Sequence, residues 1–124
     1  MYYIFYAFFY LLSLLPWRVF YIISDFFAFI LQYVVKYRVD VVAKNLAIAF
    51  PDKSVAERKK IANAFYQKFT DSFVETIKFI SISTREYEKR FTCNVEVLND
   101  LYDTGQSVQI MAGHFFNWEY ANWG

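Results

Sequence analysis

The sequence predicts an α/β protein, with N-terminal hydrophobic membrane-anchor helices followed by further helices and the first strands of an incomplete α/β domain. Three observations predict it. Residues 1–35 carry only Arg18 and Asp25 as charges, whereas residues 36–60 carry ten, so the chain changes solvent near residue 35. Between residues 39 and 77, apolar side chains recur at three- and four-residue steps, the helical period. Beyond residue 94 the pattern shortens to apolar runs bounded by glycine, as in buried strands. The predicted division is a membrane anchor over 1–35 and the truncated N-terminal part of a globular domain over 36–124.

The anchor reads as two short helices. Met1 to Trp17 is uncharged, but crossing a hydrocarbon core of about 30 Å takes about 20 apolar residues, and Pro16 interrupts the run. Val19 to Val35 is a second apolar run with Asp25 near its middle, where burial in lipid costs about 2.5 to 3.5 kcal/mol. A bent, partly embedded hairpin fits both facts. Tyr2, Tyr3, Tyr6, Trp17, Tyr21, Tyr33 and Tyr37 are rings of the kind that favour a bilayer interface. No basic residue precedes the apolar run and no small-residue cleavage site succeeds it, which favours an uncleaved anchor over a secretory signal. Lys36, Arg38 and Lys44 just beyond it predict a cytoplasmic location for the remainder of the chain.

From Tyr37 to Phe50, the residues Val39, Val42, Ala43, Leu46 and Phe50 keep helical spacing until Pro51. Ser54 and Glu57 form a capping-box pattern and predict the start of a long helix. Its apolar stripe runs Ile61, Phe65, Phe69, Phe73, Ile77, widened by Ala62, Tyr66 and Val74, and is expected to be core, with Asp71 and Lys78 on other faces. Ser83 and Glu86 repeat the capping signal for a shorter helix through about Phe91. Asn94 to Leu98 reads as a short strand, Leu98 to Tyr102 as a helical turn closed near Gly105, and Ser107 to Ala112 as a buried strand between Gly105 and Gly113.

Composition narrows the function. Thirteen basic and 12 acidic residues give a net charge of +1, too little for a nucleic-acid-binding face. The single cysteine, Cys93, excludes an internal disulfide and a cysteine-rich zinc cluster, and is expected to serve as a small apolar side chain.

The chemistry concentrates in Gly113-His114-Phe115-Phe116-Asn117-Trp118-Glu119, which holds the sole histidine. Positions five apart on a helix point about 140° away from each other, so His114 and Glu119 can meet only across a turn. If His114 ends a strand and the next helix begins around Phe116 or Asn117, the glutamate folds back under the imidazole and fixes its tautomer. A histidine so held suits a general base acting on a hydroxyl. Gly113 leaves room for substrate, and backbone N–H groups around Asn117 and Trp118 are candidates to face an oxyanion or phosphate. Two alternatives stay open at this point. In a non-catalytic membrane-associated scaffold, His114 would be a satisfied core residue and Glu119 a favourable helix N-terminal charge. A metal hydrolase would need more ligands than one His and one Glu.

The string QIMAGHFFNWE, downstream of RVDVVAKNLAIAFPDKSVAER and an aromatic anchor, resembles the bacterial lipid A biosynthesis acyltransferases within the wider lysophospholipid acyltransferase superfamily. The resemblance is most specific from His114 to Glu119, then at Asn45-Leu46 and Phe50-Pro51. It implies an enzyme of the bacterial inner membrane with its catalytic part on the cytoplasmic side. His114, oriented by Glu119, would deprotonate a lipid hydroxyl that attacks an acyl thioester on acyl carrier protein or coenzyme A. No metal, resident cofactor or covalent acyl-enzyme is implied. Motifs that grip the acceptor's phosphate would lie beyond Gly124, so residues 1–124 alone are expected to be inactive.

Overall fold

A computed structural model describes residues 1–109, 111, 113 and 117–123. The first helix, α1 (Tyr2–Ser13), stops where Pro16 cannot continue it, and α2 (Trp17–Phe29) starts directly after that proline. The last turns of α2 widen into a π-helical segment, Ile30–Val34, in which Val35 N–H reaches back to Ile30 O at 2.9 Å. Together, residues Trp17–Val34 form one helix long and apolar enough to cross a membrane, whereas α1, at roughly 18 Å, is too short. The expected pair of helices broken at Pro16 is present, the second of them long enough to span rather than short.

The elbow between them is latched from outside. The final carbonyls of a helix have no partner within it. Here Lys78 donates to Ser13 O at 2.6 Å and to Leu15 O at 2.8 Å, and Ser81 donates to Ser13 O at 2.9 Å. The Lys78 ammonium lies 5.6 Å from the ring centres of both Trp17 and Phe20, and burial lowers its pKa below the ordinary lysine value.

After the π segment the chain reverses through Lys36 and Arg38, both left-handed at φ 54° and 52°, which side chains with a Cβ adopt rarely. Tyr66, 1% exposed, donates its hydroxyl to the carbonyl of Tyr37 between them at 2.6 Å, tying this turn down. The next helix, α3 (Val39–Ala49), ends before Pro51 as its spacing predicts, and Arg58 Nη1 donates to Phe50 O and Lys53 O at 3.3 and 2.7 Å across the connecting loop.

The long helix α4 (Val55–Lys78) begins with the predicted capping box: Ser54 Oγ accepts from Glu57 N–H, and Glu57 accepts from Ser54 N–H at 2.8 Å. The Ser54 hydroxyl also donates to Glu57 Oε2 at 2.7 Å, and this bond first, then that from Ser54 N–H, holds the exposed Glu57 carboxyl below its usual range. The face that α4 buries corrects the sequence expectation in part, since Tyr66 and Val74 at the margin of the expected stripe are buried while its phenylalanines are not. Tyr66, Thr70, Asp71, Val74 and Lys78 are buried, while Phe73 is 61% exposed and Phe65 stands at the surface. The partner stripe on α2 is Phe20, Ser24 and Ala28. Its small residues bring the helices close, and the Ser24 hydroxyl donates to Asp71 Oδ1 at 2.7 Å with Thr70 Oγ1 3.0 Å away. Periodicity could not foresee this, because the partner supplies polar groups that only α4's polar face can satisfy. The aromatic stripe packs along itself, Phe69 against Phe65 and Phe73, with Tyr37 stacked on Phe69 at 6.2 Å.

Three short helices complete the described chain: α5 (Thr84–Glu88), α6 (Val95–Asp103) and α7 (Glu119–Trp123). Ser83 caps α5 by accepting from Glu86 N–H, as predicted, though the helix ends at Glu88. The α/β expectation is overturned, since every regular element among the described residues is helical. Asn94 to Leu98 is not a strand: Val95, Leu98, Leu101 and Tyr102 fall at steps of three and four, and α6 takes that helical period until Gly105 closes it at φ 67°. Of the run 107–112, Ile110 and Ala112 lie outside the described residues, and Ser107, Val108, Gln109 and Met111 have no regular structure. A strand is stabilised by its pairing, and no partner ladder forms among the described residues. Cys93, expected to fill apolar space, is exposed.

Candidate active site

His114 and the two phenylalanines after it lie outside the described residues. Gly113 is exposed. Glu119 is the first residue of α7 and half-buried, at a helix start where a carboxylate is favoured. The helix begins two to three residues later than the spacing argument expected, with Tyr120 N–H reaching Asn117 O at 3.4 Å and Ala121 N–H reaching Trp118 O at 2.9 Å. Trp118 is 42% exposed in the turn that leads into it.

The side chain of Asn117 faces inward. Its Nδ2 donates to Glu75 Oε2 on α4 at 2.8 Å, while its Oδ1 is buried without a hydrogen-bond partner among the described residues. The other oxygen of Glu75 accepts from Tyr21 OH of α2 at 2.9 Å, and Tyr21 in turn accepts from Arg90 Nη1 at 3.0 Å. Arg90 lies over Trp17, its guanidinium carbon 3.5 Å from the ring centre, and the Trp17 indole N–H donates to Glu86. The result is a directed chain of bonds from Arg90 through Tyr21 to Glu75, met from the other side by Asn117.

Tyr120 completes the docking of α7. Its ring meets Phe79 edge-on at 4.7 Å and stacks on Tyr87 at 6.1 Å, and Tyr87 OH donates to Tyr120 O at 2.5 Å. Burial, reinforced by the Glu75 carboxylate, pushes the Tyr120 phenol up to about 12.

The family model for the bacterial lipid A biosynthesis acyltransferases matches residues 1–123. The chain belongs to this family. Comparison with curated proteins and with solved structures finds no match. The lipid A acyltransferase family membership carries acyl transfer in lipid A biosynthesis as the general activity. In this acyltransferase, Asn117 is bonded to α4, Tyr21, expected at a bilayer interface, turns instead to Glu75, and the residues the sequence did not single out are Glu75, Arg90 and Tyr120. A signal for the first existed: Asp71, Glu75 and Lys78 recur at steps of four and three, a charged stripe on one helical face.

Proposed function

We propose that the protein transfers a fatty acyl group from an acyl thioester, on acyl carrier protein or coenzyme A, to a hydroxyl of a membrane lipid such as a lipid A precursor or lysophospholipid. His114 removes the hydroxyl proton as the oxygen attacks the thioester carbonyl. The tetrahedral intermediate expels the thiolate, which takes the proton back from the imidazolium, leaving an ester and a free thiol. Glu119 orients the imidazole and favours its protonated form. Gly113 leaves the acceptor room to approach, and Trp118 borders it.

The family match over residues 1–123 carries this proposal, and Glu119 at the head of a docked helix is in keeping with it. The apolar helix from Trp17 to Val34, with Phe26 exposed on it and Tyr2, Phe5 and Phe8 exposed on α1, supports a membrane-held enzyme. Lys36, Arg38 and Lys44 favour an inner-membrane location with the catalytic part on the cytoplasmic side. Replacing His114 with Ala in the full-length protein should abolish acylation of a lysolipid acceptor, measured with radiolabelled acyl thioester. Turnover undiminished by H114A refutes the base assignment.

A further inference from the structure

We propose that Glu75 is a positioning residue for acyl transfer, its carboxylate gripping the Asn117 amide and so fixing the start of α7 that carries Glu119. This rests on the proposed role of Glu119.

Both oxygens of Glu75 are engaged, Oε1 by Tyr21 of α2 at 2.9 Å and Oε2 by Asn117 ahead of α7 at 2.8 Å, so the carboxylate is held from two sides and cannot rotate freely. Its own platform is the 24-residue α4, capped at its start and packed along α2. Asn117 lies two residues before Glu119, and its carbonyl accepts the first α7 bond from Tyr120. Where Asn117 sits therefore decides where Glu119 points.

The charge on residue 75 matters for a specific reason. A carboxylate only accepts, so it can meet only the NH2 end of an asparagine, whereas a glutamine could present either end. Asn117 Oδ1 is left buried and unpartnered among the described residues, an arrangement that costs stability and persists because the opposite amide orientation would set oxygen against oxygen. The Arg90-to-Tyr21 bond gives the relay its direction, committing the Tyr21 proton to Glu75.

The test uses the full-length protein in membranes, comparing E75Q, N117D and E75Q/N117D for kcat and for the KM of the acyl thioester, beside H114A. N117D sets two carboxylates together and should lower kcat between about 10- and 100-fold with little change in KM, the scale expected of a displaced catalytic group. The double variant remakes one amide-to-carboxylate bond with the roles exchanged, Tyr21 now donating to the amide oxygen introduced at position 75, and should recover kcat to within about threefold. A double variant as slow as N117D, or N117D as fast as the wild type, overturns the proposal; the former would mean that Asn117 acts on substrate directly. If N117D does not accumulate, N117S replaces it: E75Q should then add no further loss, and additive losses overturn the proposal. H114A separates the two failures, because activity surviving that change sinks the base assignment whatever the rescue shows. An inactive H114A with no rescue removes the positioning role alone.

Discussion

Lys78 offers the sharpest test of how the α1–α2 elbow is held. K78M keeps most of the stem that packs beside Trp17 and Phe20 but removes the ammonium. Two charge-assisted bonds to Ser13 O and Leu15 O disappear, each contributing about 1.5–3 kcal/mol, and two ring contacts of about 0.5–1 kcal/mol go with them. Opposing this is relief from keeping a cation out of water, which costs several kcal/mol and is the reason burial lowers the Lys78 pKa. Ser13 O keeps its bond from Ser81, whereas the bond from Lys78 to Leu15 O is not replaced. The net loss is set chiefly by that one abandoned carbonyl, about 2 kcal/mol. Urea unfolding of the full-length protein in detergent micelles measures it, and hydrogen exchange should show faster exchange in α1 than in α4. K78M/S81A should lose more than the two single changes together, because Ser13 O then loses both donors. Wild-type stability in K78M, within about 0.5 kcal/mol, would refute the latch and leave apolar packing as the holder of the elbow.

Tyr66→Phe removes the hydroxyl that restrains the turn between two left-handed residues and should cost about 1–2 kcal/mol in the same unfolding assay, with the loss reduced when Lys36 and Arg38 are both replaced by glycine. The Tyr120 phenol titrates near 10 when free and about 12 in the fold, so the folded state binds more protons between those values. Its contribution is therefore complete below pH 10 and lost as the pH rises towards 12, a fall that unfolding curves across this range should display and Y120F should flatten.

Local signals were the legible part. Pro16 and Pro51, the Ser54–Glu57 and Ser83–Glu86 caps and the apolar steps of α3 each act within a few residues, and each appears where the sequence puts it. Pairing and partner choice were not legible. Asn94 to Leu98 carries both a strand-like composition and a helical spacing, and with no neighbouring strand among the described residues to bond it the spacing prevails. The phenylalanine stripe of α4 misled for the opposite reason, since Ser24 on a distant segment recruits Thr70 and Asp71 inward. At the candidate site, the five-residue distance from His114 to Glu119 led to a helix start two to three residues too early, while the charged stripe marks Glu75 without revealing Asn117, 42 positions away, as its partner.

The seam of hydroxyl and carboxylate groups between α2 and α4 also sets a mechanical constraint. Inserting one residue before Ser24 would swing it about 100° around its axis, bringing a hydrocarbon side chain against Asp71. The register of the Trp17–Val34 segment is thus indexed to the neighbouring rod. A change of length is better tolerated early in α1, where no such bond engages among the described residues.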